Sequence, residues 1–396
     1  MAKPAAILDV GSSKLVCLVG SQTRDQGLAV HGAAVCSYEG FSEEGFFEGE
    51  EFRKKVIEAV QRAEQESRVR IREIGISVPA AFTRLALTEA EVPVASRSRK
   101  VSGQDVDELI GEALQKSPVK DAVLMHSTPV SFLVNGRVSA EVPRGERADS
   151  IGGTVSHMYV EQNFVEAMEA ALAPIHVEVS MCMSGALGAA LAIIPEAERV
   201  RPAVLIDVGY ETTEVAVIEN AALTGLETIP SGGKHFVSDL SFGLDIPLHY
   251  AEIVKRRYVF NQEPLSPTEI IRMPNNHKRV EHKVISLIME ARAKELSELI
   301  RQALNKLGIT PESYPVTYLT GGGLTMVKGG ADYLKQALHL PVKRDIPYLP
   351  EMDTPNFTSA FGALDFTLRA VSRVYGEIEE PVSMGVMDKL KEFFNK

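Results

Sequence analysis

The chain has only three cysteines in 396 residues, Cys17, Cys36 and Cys182. They have no paired spacing and sit in or beside apolar runs, which fits neither a zinc cluster nor a disulfide framework and indicates a reducing cytoplasm. Long apolar runs are missing as well. No stretch approaches the roughly 20 residues that span a bilayer, and Lys3 and Pro4 precede a short apolar strand rather than a leader. Positive charge is in deficit: 42 Lys and Arg against 53 Asp and Glu leave a net charge of -11, spread along the chain. No nucleic-acid footprint is expected, and attraction to anionic lipid by charge alone is opposed, so any membrane contact must be local. What the chain does have is length, enough for two large lobes with a core each.

Two stretches share one pattern. Ala6, Ile7 and Leu8 lead into Asp9, Val10, Gly11, Ser12, Ser13 and Lys14, then a second apolar run from Leu15 to Val19. About half a chain later Val204, Leu205 and Ile206 lead into Asp207, Val208 and Gly209, then Tyr210 to Glu214 and another apolar run. Each reads as strand, sharp turn and strand, with an Asp leaving the first strand and a glycine that frees the turn. A lone Asp-x-Gly hairpin is commonplace. Two at this separation predict a duplicated domain whose halves each lend a turn to a ligand between them.

Leu28 to Cys36 adds a third strand to the first hairpin, Phe52 to about Ser67 has helical spacing, and Ile74 to Val78 is a strand stopped by Pro79. From Pro79 short charged segments predict an inserted module. It holds a helix from Ser102 to Gln115, capped by Ser102 and Asp105. It also holds strands Pro129 to Val134 and Arg137 to Val142 turning at Asn135-Gly136, and a strand from Thr154 to Val160. Packing and a protein interface are equally good readings of it. Phe164, Met168 and Leu172 mark a returning helix, and the Gly- and Ala-rich segment Met183 to Ile194 suits a helix that approaches another backbone closely. Helical segments follow Pro230 to His235 and run through Arg257. Within them Glu252 and Lys255 share a face, by default a solvated one. Pro264 to Lys278 reads as a loop and Val280 to Leu307 as a long helix. Pro315 to Thr320 is a buried strand running into Gly321, Gly322 and Gly323 and then a helix, whose N-terminal N–H groups would be open to a ligand. Phe361 to Val374 is the last helix of the body. On a helical wheel of Met384 to Lys396, Val386, Met387, Leu390, Phe393 and Phe394 fill one arc of roughly 120°, with charged and polar residues on the rest.

Two Asp-x-Gly hairpins, a strand-to-triple-glycine turn and small residues on two helices have the layout of the actin/Hsp70-type ATPase fold. Within it the chain resembles FtsA, the bacterial actin-like protein that ties the FtsZ division ring to the membrane. The most specific part is Ser231-Gly-Gly-Lys-His-Phe-Val-Ser-Asp-Leu-Ser-Phe-Gly-Leu-Asp-Ile-Pro-Leu-His-Tyr-Ala-Glu-Ile-Val-Lys255, close to the family's Gly-Gly-Asn-His, Asp-Ile, Gly-Leu and Ala-Glu-x-x-Lys series. The resemblance implies ATP and Mg2+ as cofactors. Asp9, Gly11, Ser12, Ser13 and Lys14 match the first phosphate turn, and Asp207, Gly209, Thr212 and Thr213 the second. Gly232 and Gly233 follow the next strand, Glu252 and Lys255 match nucleoside contacts, and Gly321, Gly322 and Gly323 the adenosine turn. Asp9 and Asp207 would hold Mg2+ through water. Family second turns usually read Asp-x-Gly-Gly-Gly-Thr, whereas Tyr210 and Glu211 stand here. A side chain at a left-handed position costs on the order of 1 kcal/mol, and a carboxylate repels a terminal phosphate. Hydrolysis should therefore be slow at most, with Glu211 the weak candidate for positioning water.

The resemblance further implies a first-lobe core at 1–79, 161–201 and 360–375, and an FtsA-type inserted subdomain at 80–160. The second-lobe core falls at 202–229 and 300–359, its outer part at 230–299, a linker at 376–383 and an amphipathic membrane-targeting helix at 384–396. The implied protein is a nucleotide-gated adaptor that polymerises with itself and anchors FtsZ to the inner face of the cytoplasmic membrane. It would take the acidic FtsZ C-terminal tail near the basic Lys255 to Tyr258 and other division proteins through the insert. A PilM-like pilus assembly protein and a small-molecule kinase of the same fold are the alternatives.

Overall fold

The computed structural model describes residues 3–23, 27–38, 40–42, 45–46, 49–264, 266–274, 276–310, 315–344 and 353–374. The linker and the amphipathic segment 384–396, with Val386, Met387, Leu390, Phe393 and Phe394, lie outside the described residues. The chain divides into two compact units. Of the described residues, one holds those up to Pro202, Ile218–Gly225 and 359–374; the other holds Ala203–Val217 and those between Leu226 and Thr358.

The apolar runs at the start form β1 (Ala5–Val10), β2 (Lys14–Gln22) and β3 (Leu28–Ser37), an antiparallel meander with Leu8 opposite Cys17. A short pair, β4 (Phe41–Ser42) and β5 (Gly45–Phe46), precedes α1 (Gly49–Ser67). That helix buries Phe52, Val56, Ala59, Val60 and Ala63, the three-and-four spacing of one helical face. Next, β6 (Glu73–Val78) lies parallel to β1.

The insert consists of β7 (Thr83–Pro93), α2 (Gly103–Gln115), β8 (Ala122–Val134), β9 (Arg137–Ser139) and β10 (Ser150–Glu161), in sheet order β7-β10-β8-β9. Val106, Leu109, Ile110 and Ala113 of α2 pack on Ala90, Val92, Phe132, Val134, Ile151 and Val155. The expected cap is present: the Ser102 amide donates to Asp105 Oδ2 at 2.8 Å, and Oδ1 of the same buried carboxylate accepts the Ala95 amide at 2.8 Å. The hairpin turn is as expected too, Asn135 and Gly136 having φ of 50° and 76°, the pair of positive values that a right-twisted two-residue hairpin requires. Expected short charged segments are instead long strands. Glu89 and Glu91 alternate with inward Ala90 and Val92, so charge on the outer face hid the period of two. β9 stops at Ser139, short of Val142.

After α3 (Gln162–Leu172) the chain forms β11 (Glu178–Ser184), a strand not expected, and then α4 (Gly185–Ile193). β11 joins β6 in parallel and completes the order β11-β6-β1-β2-β3.

The second repeat begins with β12 (Ala203–Val208), β13 (Thr213–Glu219) and β14 (Ala222–Ile229). It continues with α5 (Gly233–Leu244), α6 (Leu248–Arg257), β15 (Thr268–Met273), β16 (Asn276–Glu281) and α7 (His282–Lys306). β17 (Thr317–Thr320), α8 (Gly330–Leu338), β18 (Val342–Arg344) and α9 (Thr358–Val374) follow. The sheet order β14-β13-β12-β17-β18, with β12, β17 and β18 parallel, repeats β3-β2-β1-β6-β11 strand for strand. The duplication expected from the two hairpins is present in the topology.

Three further expectations are corrected. Residues 268–273 and 276–281 pair as β15 and β16 rather than forming a loop; Ile271 is buried there, and the neighbouring prolines hid the strand signal. Glu252 and Lys255 are not a solvated pair, because Lys255 is buried. No helix follows Gly323 directly, since α8 starts at Gly330, so the expected N-terminal N–H groups are not at that turn. The close helix approach is borne out: a side-chain carbon on Gly362 of α9 would lie 2.0 Å from Gly188 O of α4.

All three cysteines are free thiols. Among the described residues no helix is long and apolar enough to cross a membrane, and no group of His, Cys, Asp and Glu has the makings of a metal cluster.

Two histidines of the insert sheet titrate with its stability. Burial pushes His126 and His157 down from 6.5 to about 4. Nδ1 of His157 meets Ser127 Oγ at 2.7 Å. A depressed folded-state pKa means the unfolded chain binds the proton first, so stability is full above about pH 6.5 and is lost as pH falls towards 4. Each histidine contributes up to about 1.4 kcal/mol per pH unit inside that window. Thermal melts from pH 7 to 4 should show His157→Phe losing less stability than the wild type; parallel curves would contradict the buried neutral ring.

Candidate functional site

In the first unit Asp9, Gly11, Ser12, Ser13 and Lys14 share one hairpin. The Gly11 amide donates to Lys14 O at 3.0 Å, closing the turn. Two hydroxyls that the sequence reading did not single out hold Asp9: Ser77 donates to Oδ1 at 2.6 Å and Ser359 at 2.7 Å. Ser77 ends β6 and Ser359 opens α9, so Asp9 is fixed by elements far apart in sequence. Burial raises the Asp9 carboxyl from its ordinary value, opposed by these two hydrogen bonds and by the Lys14 charge. Tyr38, also unforeseen, props the turn by donating to Gly11 O at 2.6 Å.

In the second unit the turn is built alike, with the Gly209 amide on Thr212 O at 2.9 Å. Neither Tyr210 nor Glu211 has a positive φ. The left-handed cost expected for side chains at these positions is therefore absent. The Glu211 carboxylate meets Lys234 Nζ at 2.6 Å. Thr213 is fully buried and donates to Ser231 O at 2.6 Å; it braces the turn from behind.

Two glycine segments, Gly232–Gly233 and Gly321–Gly323, meet the Asp207 turn. A side-chain carbon on Gly321 would stand 2.2 Å from Asp207 Oδ1 and 2.3 Å from Val208 O, and its φ of 87° already favours glycine. One on Gly323 would stand 2.3 Å from Gly209 O, one on Gly232 2.6 Å from Tyr210 O, and one on Gly233 2.8 Å from Gly323 Cα. Gly322 instead borders the Asn356 side chain. The start of α5 is tied to the turn by the Gly233 amide on Gly209 O at 2.9 Å and the Lys234 amide on Tyr210 O at 2.8 Å. Gly323 donates to Val208 O at 2.7 Å, and Gly232 to His235 Nδ1 at 3.0 Å. The amides of Gly11, Gly209, Gly232, Gly233, Lys234 and Gly323 are thus hydrogen-bonded inside the protein.

Lys255 reaches the same cluster. Its Nζ pairs with Glu252 Oε2 at 2.8 Å and donates to Gly233 O at 3.3 Å. Burial lowers the ammonium from its ordinary value, while Glu252 pulls it back up. The basic cluster expected to take an acidic peptide is correspondingly smaller. Lys255 and Tyr258 are buried, Arg256 pairs with Glu252 at 2.6 Å, and Arg257 faces Glu269 at 3.7 Å.

These groups suit an adenine nucleotide with a hydrated cation. Bare backbone at Gly232, Gly233 and Gly321 to Gly323 leaves walls without side chains. A half-buried carboxylate and a buried ammonium, Glu252 and Lys255, fit hydroxyl and ring-nitrogen recognition. Asp9 and Asp207, each at the end of a hairpin's first strand, are hard oxygen donors of the kind a magnesium shell accepts.

The family model for "Cell division protein FtsA" matches residues 204–362. FtsA of Pseudomonas aeruginosa is 23% identical over 375 residues, 92% of this chain and 89% of that protein. FtsA of Neisseria meningitidis is 22% identical over 394 residues, covering 97% and 94%, and that of Bacillus subtilis 24% over 372 residues, covering 91% and 83%. Among solved structures, a PilM-PilN type IV pilus biogenesis complex superposes with a TM-score of 0.64 at 19% identity, over 92% of this chain and 98% of the other. MreB5 of Spiroplasma citri bound to ADP gives 0.56 at 13% identity, over 94% and 98%. The chain is thus a protein of the actin-like ATPase fold, related in sequence to the cell division protein FtsA.

Proposed function

We propose that this chain is an ATP-binding, actin-like adaptor of bacterial cell division that polymerises and holds FtsZ at the inner face of the cytoplasmic membrane. The observation that carries the nucleotide part is the gathering of Asp207, Gly209, Gly232, Gly233, Lys255, Gly321 and Gly323 into one backbone-walled cluster. It lies inside the stretch that matches the FtsA family model. The division role rests on the relatives named FtsA.

Bound nucleotide supplies a polyanion whose charge changes on hydrolysis. The chain's own part is to hold it: in the second unit Asp207 for the hydrated Mg2+ and Glu252 and Lys255 for the nucleoside, and in the first unit Asp9, Lys14 and the Ser12 and Ser13 hydroxyls as the matching cation- and phosphate-binding groups. Glu211 is bound to Lys234, which disfavours it as a general base and with it a kinase reading. The PilM alternative rests on fold alone. The insert at 80–160 offers a docking module for other division proteins, and the FtsZ C-terminal tail is the acidic partner, with the exposed Arg256 and Arg257 as its basic contacts.

Membrane attachment is assigned to 384–396 from its sequence. Partial burial of Val386, Met387, Leu390, Phe393 and Phe394 is worth about 5 to 8 kcal/mol before the cost of ordering a short helix. Single copies would bind weakly, and a polymer would multiply the contacts.

Titration calorimetry with ATP and Mg2+ should give saturable binding that Asp207→Ala weakens at least about tenfold, the loss of a charged cation contact. A wild-type protein that ignores millimolar ATP would leave a static scaffold. In flotation assays Phe393→Glu with Phe394→Glu should abolish liposome binding, and liposome recruitment of FtsZ with it, while nucleotide binding persists. Loss of folding instead would place that helix in the body.

A further inference from the structure

Two opposite charges meet beside the Asp207 turn in the second unit. Glu211 lies in the turn after Asp207 and Lys234 in the first turn of α5, and their side chains pair at 2.6 Å. A carboxylate in a phosphate-binding turn repels the ligand, and one cation at contact distance cancels it. The pairing is lopsided in exposure, however. The Lys234 side chain is 41% exposed and that of Glu211 only 16%, so the ammonium is the accessible member. Main-chain bonds fix the base of the lysine, through its own amide on Tyr210 O and the Gly233 amide on Gly209 O. The backbone of the lysine is thus anchored, and an exchange of partner falls to its side chain.

We propose that Glu211 is a built-in competitor for the terminal phosphate and that Lys234 is the cation they share. The proposal rests on the nucleotide reading above and names what that site discriminates. With no triphosphate, the carboxylate occupies the ammonium. A terminal phosphate carries more negative charge and presents three oxygens, so it draws Lys234 away from Glu211. A nucleoside diphosphate lacks that group and leaves the pair in place. Lys234 is thus a specificity-determining residue for triphosphate over diphosphate, and Glu211 lowers triphosphate affinity in return for that contrast. Tyr210, between Gly209 and Glu211, contributes its carbonyl to the Lys234 amide.

The test is calorimetry of ATP and ADP, each with Mg2+, on the full chain and on Glu211→Gln, Lys234→Gln and Lys234→Arg. Glu211→Gln should tighten ATP about tenfold and change ADP less than about twofold. Lys234→Gln should weaken ATP by a similar factor, again sparing ADP, and Lys234→Arg should restore most of it. The ATP-to-ADP ratio is the decisive readout, since an ion pair that merely braces the turn would move both nucleotides together. Equal shifts, or none, in variants of a protein that binds nucleotide would overturn the competitor role and leave the nucleotide reading intact. Failure of both the wild type and Glu211→Gln to bind either nucleotide would overturn the two together.

Discussion

Backbone meets backbone at the Asp207 turn, and much of the second unit is arranged to allow it. A side-chain carbon at Gly321 or Gly323 would stand within 2.3 Å of the atoms opposite, a separation no pair of non-bonded heavy atoms tolerates. The ends of β12 and β17 and the start of α5 therefore approach only as bare peptide. Three main-chain hydrogen bonds across these turns, at Gly209, Gly233 and Gly323, then replace side-chain packing as the cohesive force. The buried Lys255 adds an ammonium against the Gly233 carbonyl, so the cluster is polar throughout yet internally bonded.

The first unit meets the same topological task with different chemistry. Its hairpin turn is closed identically, glycine amide to the carbonyl three residues on. Asp9, however, is held by two hydroxyls from β6 and α9, whereas Asp207 borders the main chain of Gly321. One duplicated scaffold thus presents a hydroxyl-braced carboxylate in one copy and a glycine-walled carboxylate in the other.

The duplicated plan was legible in the sequence because β-branched runs, an Asp-x-Gly turn and a second apolar run recur with the same local spacing. The insert helix was legible through its cap, Ser102 and Asp105, which is a purely local signal. What escaped detection depended on tertiary context. Charges on Glu89 and Glu91 disguised β7 because only one face of that strand is buried. Pro264, Pro267 and Pro274 made the β15–β16 pair look like a loop. Lys255 gave no sign of burial, since its pairing with Glu252 has the spacing of an ordinary surface pair. The backbone strain expected at Tyr210 and Glu211 was an inference from glycines in related turns, and the turn closes here without positive φ at either residue. Ser77, Ser359 and Tyr38 carried no motif at all; only the fold brings them to Asp9 and Gly11.

The thiols described earlier bear on how the molecule can be studied. Burial raises Cys17 and Cys36 above the ordinary thiol range and pushes Cys182 up to about 12. Nucleophilic attack needs the thiolate, so at neutral pH these shifts disfavour reaction of all three with maleimides and similar labels. A single cysteine introduced at a solvent-facing position such as Phe242, 91% exposed, would be the more reactive handle. Fluorophores or spin labels would therefore favour the introduced site over the buried Cys17 and Cys36.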